Sequence, residues 1–316
     1  MRKIIIKTRS SSTNLRVDEY YLWIKDILRW QKNNFDINII LLDLQNLLQF
    51  GCSKPVKDFS FNIVKDLSAL GVNFNKTSIV FQSQLPGIQE IIVYLQYFEL
   101  LTNKMANNII PSSINYHKLS LDLFSEIAVM MIFNSDIILS EKSEVKKIEL
   151  ARNLISKFNY TYKKSFKLPQ FFISHHPKLI GLDGKEELND VNCLLFSDAK
   201  NVAKKKIMSA ITDSDTQIKF NTKRKPYVSN LINLYQFFTN KTYDKIEGEF
   251  CGKKYIEFKN AIVKQLNKFL KSHVEKTDVK NENSIKRLLL KSHRKSNYKL
   301  RKNIKIIKEA MNIPHL

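Results

Sequence analysis

Short apolar runs alternate with stretches of helical period through the first two thirds of the chain, the pattern of parallel strands joined by crossover helices. The runs Lys3–Ile6, Ile37–Leu42 and Ser78–Gln82 predict strands, and Glu19–Gln31, Ile88–Leu101 and Glu144–Lys157 predict helices between or after them. In the last of these, Val145, Ile148, Leu150, Ala151, Leu154 and Ile155 recur at roughly a helical period. From Ala199 onward the strand signals stop and amphipathic helices take over, as in Val228–Phe238 and Tyr255–Ser272. The expectation is an α/β unit over residues 1–198 followed by an all-helical unit over residues 199–316.

The longest apolar run, Ile127 to Phe133, is far too short to cross a bilayer, so no membrane span is expected. Residues 1–17 carry Arg2, Lys3, Lys7, Arg9 and Arg16 with several serines and no acid, which overlaps with an organellar transit peptide. Ile4-Ile5-Ile6 reads better as a first buried strand. At 316 residues and 43% hydrophobic content the chain has room for one large or two ordinary domains, which excludes disorder over its whole length.

Charge changes the picture more than composition does. There are 52 Lys and Arg against 30 Asp and Glu, a formal +22 that points to a polyanionic partner. Residues 201–316 hold 27 of the cations and 10 of the acids, a net +17, so the basic character belongs to the helical half. Its peak is Lys286, Arg287, Lys291, Arg294, Lys295, Lys299, Arg301, Lys302, Lys305 and Lys308, with no acid until Glu309. Leu288, Leu289, Leu300, Ile304 and Ile307 interleave so as to seat such a helix on a core with its cations outward. These cations are the candidate RNA-binding residues. The bland alternative is a solvated face, although ten uncompensated cations repel one another. An anionic membrane is a further option, but no strong Trp/Phe insertion face accompanies the run.

Other chemistry is thin. Cys52, Cys193 and Cys251 are widely spaced and odd in number, which fits a reducing compartment better than a disulfide framework. His175 and His176 are adjacent and cannot share a helix face around one metal, and no metal is expected. Cys251 beside Gly252 and Lys253-Lys254 reads as an ordinary residue at a helix junction rather than an activated thiol. Phe171-Phe172 and Phe237-Phe238 read as core rather than as base-stacking platforms. No Walker loop, GxGxxG turn or Ser/His/Asp signature is present.

Several segments, read in order, resemble one family. Gly181-Leu182-Asp183-Gly184, then Leu194-Leu195-Phe196-Ser197-Asp198, then Lys204-Lys205-Lys206-Ile207-Met208-Ser209-Ala210-Ile211-Thr212-Asp213 look like the region around the signature loop of bacterial-type tryptophanyl-tRNA synthetases. Val80-Phe81-Gln82-Ser83-Gln84-Leu85-Pro86, Ile148-Glu149-Leu150-Ala151-Arg152 and Val228-Ser229-Asn230-Leu231 resemble three further elements of that family, in the same order. The collinear likeness runs from about Ile4 to Ile313. It implies a Rossmann-type parallel-sheet domain followed by a helical, anticodon-binding-like domain, in homodimers that adenylate tryptophan with ATP and esterify a tRNA.

The departures from the family pattern fall at its active-site positions. The family's glycine-rich nucleotide turn is here Ser12, Thr13, Asn14, Leu15, Arg16, Val17, Asp18 and Glu19, with no glycine and two acids where a triphosphate would approach. As helix N-terminal residues, Asp18 and Glu19 are good capping chemistry. The family's Lys-Met-Ser-Lys-Ser stretch becomes Glu187-Leu188-Asn189-Asp190-Val191, both lysines gone, with Lys185 the one nearby cation. The position whose Asp accepts the indole N–H in the family holds Val129, and Gln82 belongs to the same vestigial amino-acid site.

The resemblance with these losses implies no catalytic residue and no cofactor. It implies a catalytically inactive relative that acts as an RNA-binding or ribonucleoprotein scaffold subunit, with an organellar ribosome as one candidate assembly. ATP and Mg would be needed only by the alternative, a divergent but active tryptophan–tRNA ligase in which Lys185 or Arg16 replaces the lost phosphate contacts. A pocket repurposed for another ligand is a third reading. The partners expected are tRNA, ribosomal RNA or a ribonucleoprotein, with homodimerisation left open and no membrane. The compartment expected is cytoplasm or mitochondrial matrix.

Overall fold

The computed structural model describes residues 2–8, 14–44, 56–102, 116–174, 176–177, 179–274 and 282–313. Five parallel strands, β1 (Lys3–Thr8), β2 (Asp36–Leu41), β3 (Thr77–Phe81), β4 (Ile137–Ser140) and β5 (Gln170–Ile173), form one sheet in the order β3-β2-β1-β4-β5. The chain winds outward from β1 to β3 and then returns to β1's other side, so the strand order reverses between β1 and β4. This is the expected Rossmann-type arrangement. Ile4, Ile5, Ile6, Ile37, Ile39 and Ile40 are fully buried because a parallel sheet is covered on both faces. The strands β4 and β5 were not legible in the apolar pattern. Each has four residues, and β5 is an edge strand whose side chains stay partly exposed.

Helices cover the faces. The first helical stretch opens with α1 (Val17–Glu19), passes through a π turn at Tyr20–Ile24 and continues as α2 (Lys25–Lys32). It therefore starts two residues before the predicted Glu19. The others in this unit are α3 (Val56–Ala69), α4 (Ile88–Leu101, as predicted), α5 (Tyr116–Phe133) and α6 (Val145–Tyr162), which ends where Lys163 turns left-handed at φ 51°. Beyond residue 199 all regular structure among the described residues is helical: α7 (Lys200–Met208), α8 (Pro226–Thr239), α9 (Tyr243–Glu249), α10 (Tyr255–Val274) and α11 (Glu282–Ala310). Proline at the first position of α8 costs no hydrogen bond there and presets the helical φ.

The first core runs from one sheet face into the helices α7 to α10, where Tyr21 stacks on Phe237 at 4.8 Å between ring centres. The second core lies on the other face among α4, α5 and α6. The aromatic pairs of the sequence are core residues here, Phe237 and Phe171 included.

The basic helix α11 does not stay with the helical unit. Its Ile285 and Leu289 enter the first core, and its Leu300, Ile304 and Ile307 enter the second, so it wraps the open edge of the sheet along β3. An edge strand presents unpaired backbone donors. Ile79 N–H donates to Ser292 Oγ at 2.6 Å, and Asn303 Nδ2 donates at 2.7 Å to the Ile132 carbonyl at the end of α5. Lys308 pairs with Glu90 of α4. The apolar positions expected to seat the helix do so, on the sheet unit.

Asp66 of α3 accepts the Leu15 N–H at 2.9 Å, fixing the chain just ahead of α1. Burial raises its pKa to about 6, against the opposing pull of that N–H and of Lys65. A carboxyl with a raised folded pKa contributes stability below its unfolded pKa of about 4 and loses it as pH rises through 6. Asp66→Asn keeps an oxygen acceptor without the titration. Urea denaturation should show it stabilising by about 1–2 kcal/mol at pH 7.5 and having almost no effect at pH 4, the pKa shift being discounted for partial solvent screening.

Candidate active site

In an open parallel sheet, ligands bind beyond the carboxyl ends of the strands where the order reverses. Here that crevice lies between β1 and β4, and among the described residues a group of charged side chains stands at it. Lys7, at the carboxyl end of β1, extends its ammonium to Glu126 of α5 and lies 3.5 Å from Glu144, the residue capping α6. Lys147, in the first turn of α6, lies 2.8 Å from Glu144 and 3.9 Å from Glu126. Two cations and two carboxylates thus alternate around a closed ring. The Lys7 and Glu126 side chains are only 6% and 3% exposed, so neither is solvated. Such a ring holds because every charge has two opposite neighbours; removing one leaves the others buried without compensation.

Gln82 reaches the α5 residue next to Glu126, and Val129 lies one turn further along that helix. Gln82, 1% exposed at the end of β3, donates its amide N–H to the Ser125 hydroxyl, one helical turn before Val129 on α5. Val129 is 1% exposed within the second core, so an apolar side chain stands where the resemblance would put an acceptor. Among the described residues, Gln82 Oε1 and Glu126 Oε1 are buried without a hydrogen-bond partner.

Of the candidate nucleotide-site residues, Ser12 and Thr13 lie outside the described residues. Asn14 is half-buried, whereas Arg16, Asp18 and Glu19 are buried and turned into the protein. Arg16 Nε donates to Asp18 Oδ1 at 2.9 Å, and Glu19 Oε2 accepts the Arg16 N–H at 2.9 Å. Asp18 is thus paired with the Arg16 guanidinium and Glu19 holds the Arg16 backbone N–H, both carboxylates being turned inward. The capping reading of Glu19 holds. Burial pushes the Glu19 carboxyl up. Burial also works against the Arg16 charge, but Asp18 and Glu19 outweigh it and keep the guanidinium protonated. Arg16 is thus fully engaged and has no reach toward a ligand.

The loop after β5 is tied to this turn. Val17 N–H donates to the Leu194 carbonyl at 2.9 Å and Phe196 N–H to the Leu15 carbonyl at 3.0 Å. Inside the loop, Asn192 donates its amide to Asp183 Oδ1 and to the Glu187 carbonyl, both at 2.9 Å. Its oxygen accepts the Asn189 N–H at 2.8 Å. Gly181 is required by this plug, since a Cβ there would sit 2.5 Å from Asn192 Nδ2. Gly184, at φ +82°, lets Tyr227 approach to within 2.6 Å of where a Cβ would be. Leu188, Cys193 and Leu195 make a small core of their own, and burial pushes the Cys193 thiol up to about 12. Lys206 Nζ pairs with Asp198 at 2.8 Å. Lys185, Glu187 and Asn189 point outward and Asp190 is half-buried, so Lys185 does not enter the crevice.

Among the cations of α11, Lys286, Arg287, Lys291, Arg294, Lys295, Arg301, Lys302 and Lys305 are exposed and Lys308 is half-buried; the Lys299 side chain lies outside the described residues. His176 packs edge-on against Tyr21 and Phe237, and His175 is outside the described residues. Lys7, Glu126, Glu144 and Lys147 were not singled out from the sequence. The signal available was a lysine closing an otherwise apolar strand and a glutamate opening the apolar run Ile127–Phe133.

The ring makes a testable demand on stability. Lys7→Met alone should cost about 3 kcal/mol in urea denaturation, whereas Lys7→Met with Glu126→Met should recover most of the loss, because Glu144 and Lys147 remain paired.

Comparison with known proteins agrees with this architecture. A family model described as class I tRNA synthetases (W and Y) matches residues 131–271. The tryptophan–tRNA ligase of Malacoplasma penetrans is 25% identical over 335 aligned residues, covering 98% of each chain. That of Buchnera aphidicola is 28% identical over 293, covering 85% of this chain and 84% of its own. Among solved structures, the tryptophanyl-tRNA synthetase of Mycoplasma pneumoniae superposes with a TM-score of 0.79 at 18% identity, over 99% of this chain and 98% of that one. The Campylobacter jejuni enzyme, solved with ADP and tryptophan, gives 0.73 at 18% identity, over 98% and 100%. In sequence along its whole length, and in fold, the chain resembles the bacterial-type tryptophanyl-tRNA synthetases of class I.

Proposed function

We propose that this chain is a catalytically inactive tryptophanyl-tRNA synthetase-like protein that serves as an RNA-binding scaffold subunit of a ribonucleoprotein. The observation that carries the proposal is the ring of Lys7, Glu126, Glu144 and Lys147, paired with one another at the crevice of the strand-order reversal. A small amino acid would have to displace two ion pairs to enter. Losing phosphate-binding cations at a developing pyrophosphate removes several kcal/mol of transition-state stabilisation, by analogy with roughly 3–4 kcal/mol for a single oxyanion donor. With Arg16 engaged by Asp18 and Lys185 outward, no group among the described residues takes their place. On this reading neither ATP nor Mg is a ligand, and the net +17 of residues 201–316 meets RNA. Among the described residues Cys193 and Cys251 are free thiols, which favours a reducing compartment such as cytoplasm or mitochondrial matrix. Among the described residues no helix is long and apolar enough to cross a membrane.

The second reading, an active tryptophan–tRNA ligase, is favoured by the relatives of that name that match along the whole chain. ATP–pyrophosphate exchange with tryptophan separates the two. The expected result is no tryptophan-dependent exchange together with salt-sensitive RNA binding. Exchange above the level without tryptophan would make this a divergent ligase, and the ring would then have to open.

Homodimerisation belongs to the same proposal. Val93, Tyr97, Leu100 and Leu101 form an exposed apolar stripe on α4, Leu101 being 79% exposed, with Leu121 of α5 exposed as well. Sedimentation should show a dimer that Tyr97→Lys with Leu101→Lys converts to monomer without loss of helical circular dichroism.

A further inference from the structure

The outer face of α11 is built as a rod of positive charge. Its rotation is locked, since Ile285, Leu289, Ser292, Ser296, Leu300 and Ile304 are all buried along one seam, at the spacing of a single helix face. Arg287, Arg294, Lys295, Arg301 and Lys302 lie exposed on the other side, over about 22 Å of helix. None of these five has an acidic partner among the described residues, whereas Lys305 and Lys308 are answered by Glu309 and Glu90. Five unanswered cations on a rigid rod repel one another until a polyanion lies against them.

The rod also sits away from the crevice. Lys295, Ser296, Leu300 and Asn303 line a small cavity with Lys3, Asp36, Asn38 and Ser78, which belong to the amino-terminal parts of β1, β2 and β3. The crevice is at the opposite, carboxyl end of the sheet. A partner on α11 is therefore held independently of whatever the crevice once bound. Among the described side chains of this helix the one large exposed apolar group is Leu290, and one leucine is no insertion face for a membrane. Tyr298 rides the same helix with its side chain outside the described residues, so it is the row of charges that favours a double helix over a single strand.

Resting on the RNA-binding reading above, we propose that the outer face of α11 binds double-helical RNA through its phosphates, reading shape rather than sequence. A straight row of point charges suits a double helix, whose grooves bring successive phosphates to one surface.

The test uses the full chain and fluorescence anisotropy between 50 and 200 mM KCl, with a 20-base-pair RNA duplex of arbitrary sequence and an oligouridine single strand of equal length. Five phosphate contacts predict a slope of log affinity against log salt of about −4 to −5 for the duplex. Replacing three cations in R294Q/R301Q/K302Q should weaken duplex binding about 100-fold at 100 mM KCl and bring the slope to about −2, with circular dichroism unchanged. The control K200Q/K204Q/K205Q, three exposed lysines of α7, should leave affinity within twofold. Unchanged duplex affinity in the α11 variant would overturn this inference while leaving the RNA-binding reading standing, as would tighter binding of the single strand. Binding of neither RNA would overturn both. Adsorption to phosphatidylcholine–phosphatidylserine vesicles in place of RNA would assign the rod to a membrane and overturn both as well.

Discussion

An ammonium group at the end of a buried central strand must find carboxylates or fail to fold, and the arrangement around the sheet's crevice follows from that demand. Lys7 is anchored by β1, which pairs with strands on both sides, so its position is not negotiable. Glu126 and Glu144 come to it from α5 and from the cap of α6, and Lys147 answers the charge they carry in excess. Because each member is buried or half-buried, the ring fixes the approach of two helices to the sheet as firmly as apolar packing does. It stands at the end of the sheet where the strand order reverses.

The turn ahead of α1 is held by its own side chains and by a distant loop. Arg16, Asp18 and Glu19 satisfy one another, and the loop from Gly181 to Asp198 is joined by backbone hydrogen bonds to the turn that contains them. Asn192 plugs that loop from inside, and Leu188, Cys193 and Leu195 give it a core.

The helix α11 shows one element meeting two requirements. Its buried seam joins both cores around the open edge of β3, with Ser292 taking up an edge donor. Its outer face then presents charge with no internal use. The stability of the sheet and the display of that face thus depend on the same packing, and the helix cannot turn to hide its cations without exposing Leu289, Leu300 and Ile307.

Apolar periodicity reports which residues are buried but not what covers them, and this separates what was legible in the sequence from what was not. The sequence by itself determined the α/β half, the helical half, the segments of family likeness, and the helix on which the cations ride, because each is local pattern or collinear order. The short strands β4 and β5 carry too few residues for a pattern. That Glu126 meets Lys7 across 119 residues, that the turn holding Arg16 is tied to Leu194, and that α11 leaves the helical half to cover the sheet edge were decided only by tertiary structure. Charge pairing across the chain depends on where β1, α5 and α6 converge, and no local rule of sequence encodes that convergence.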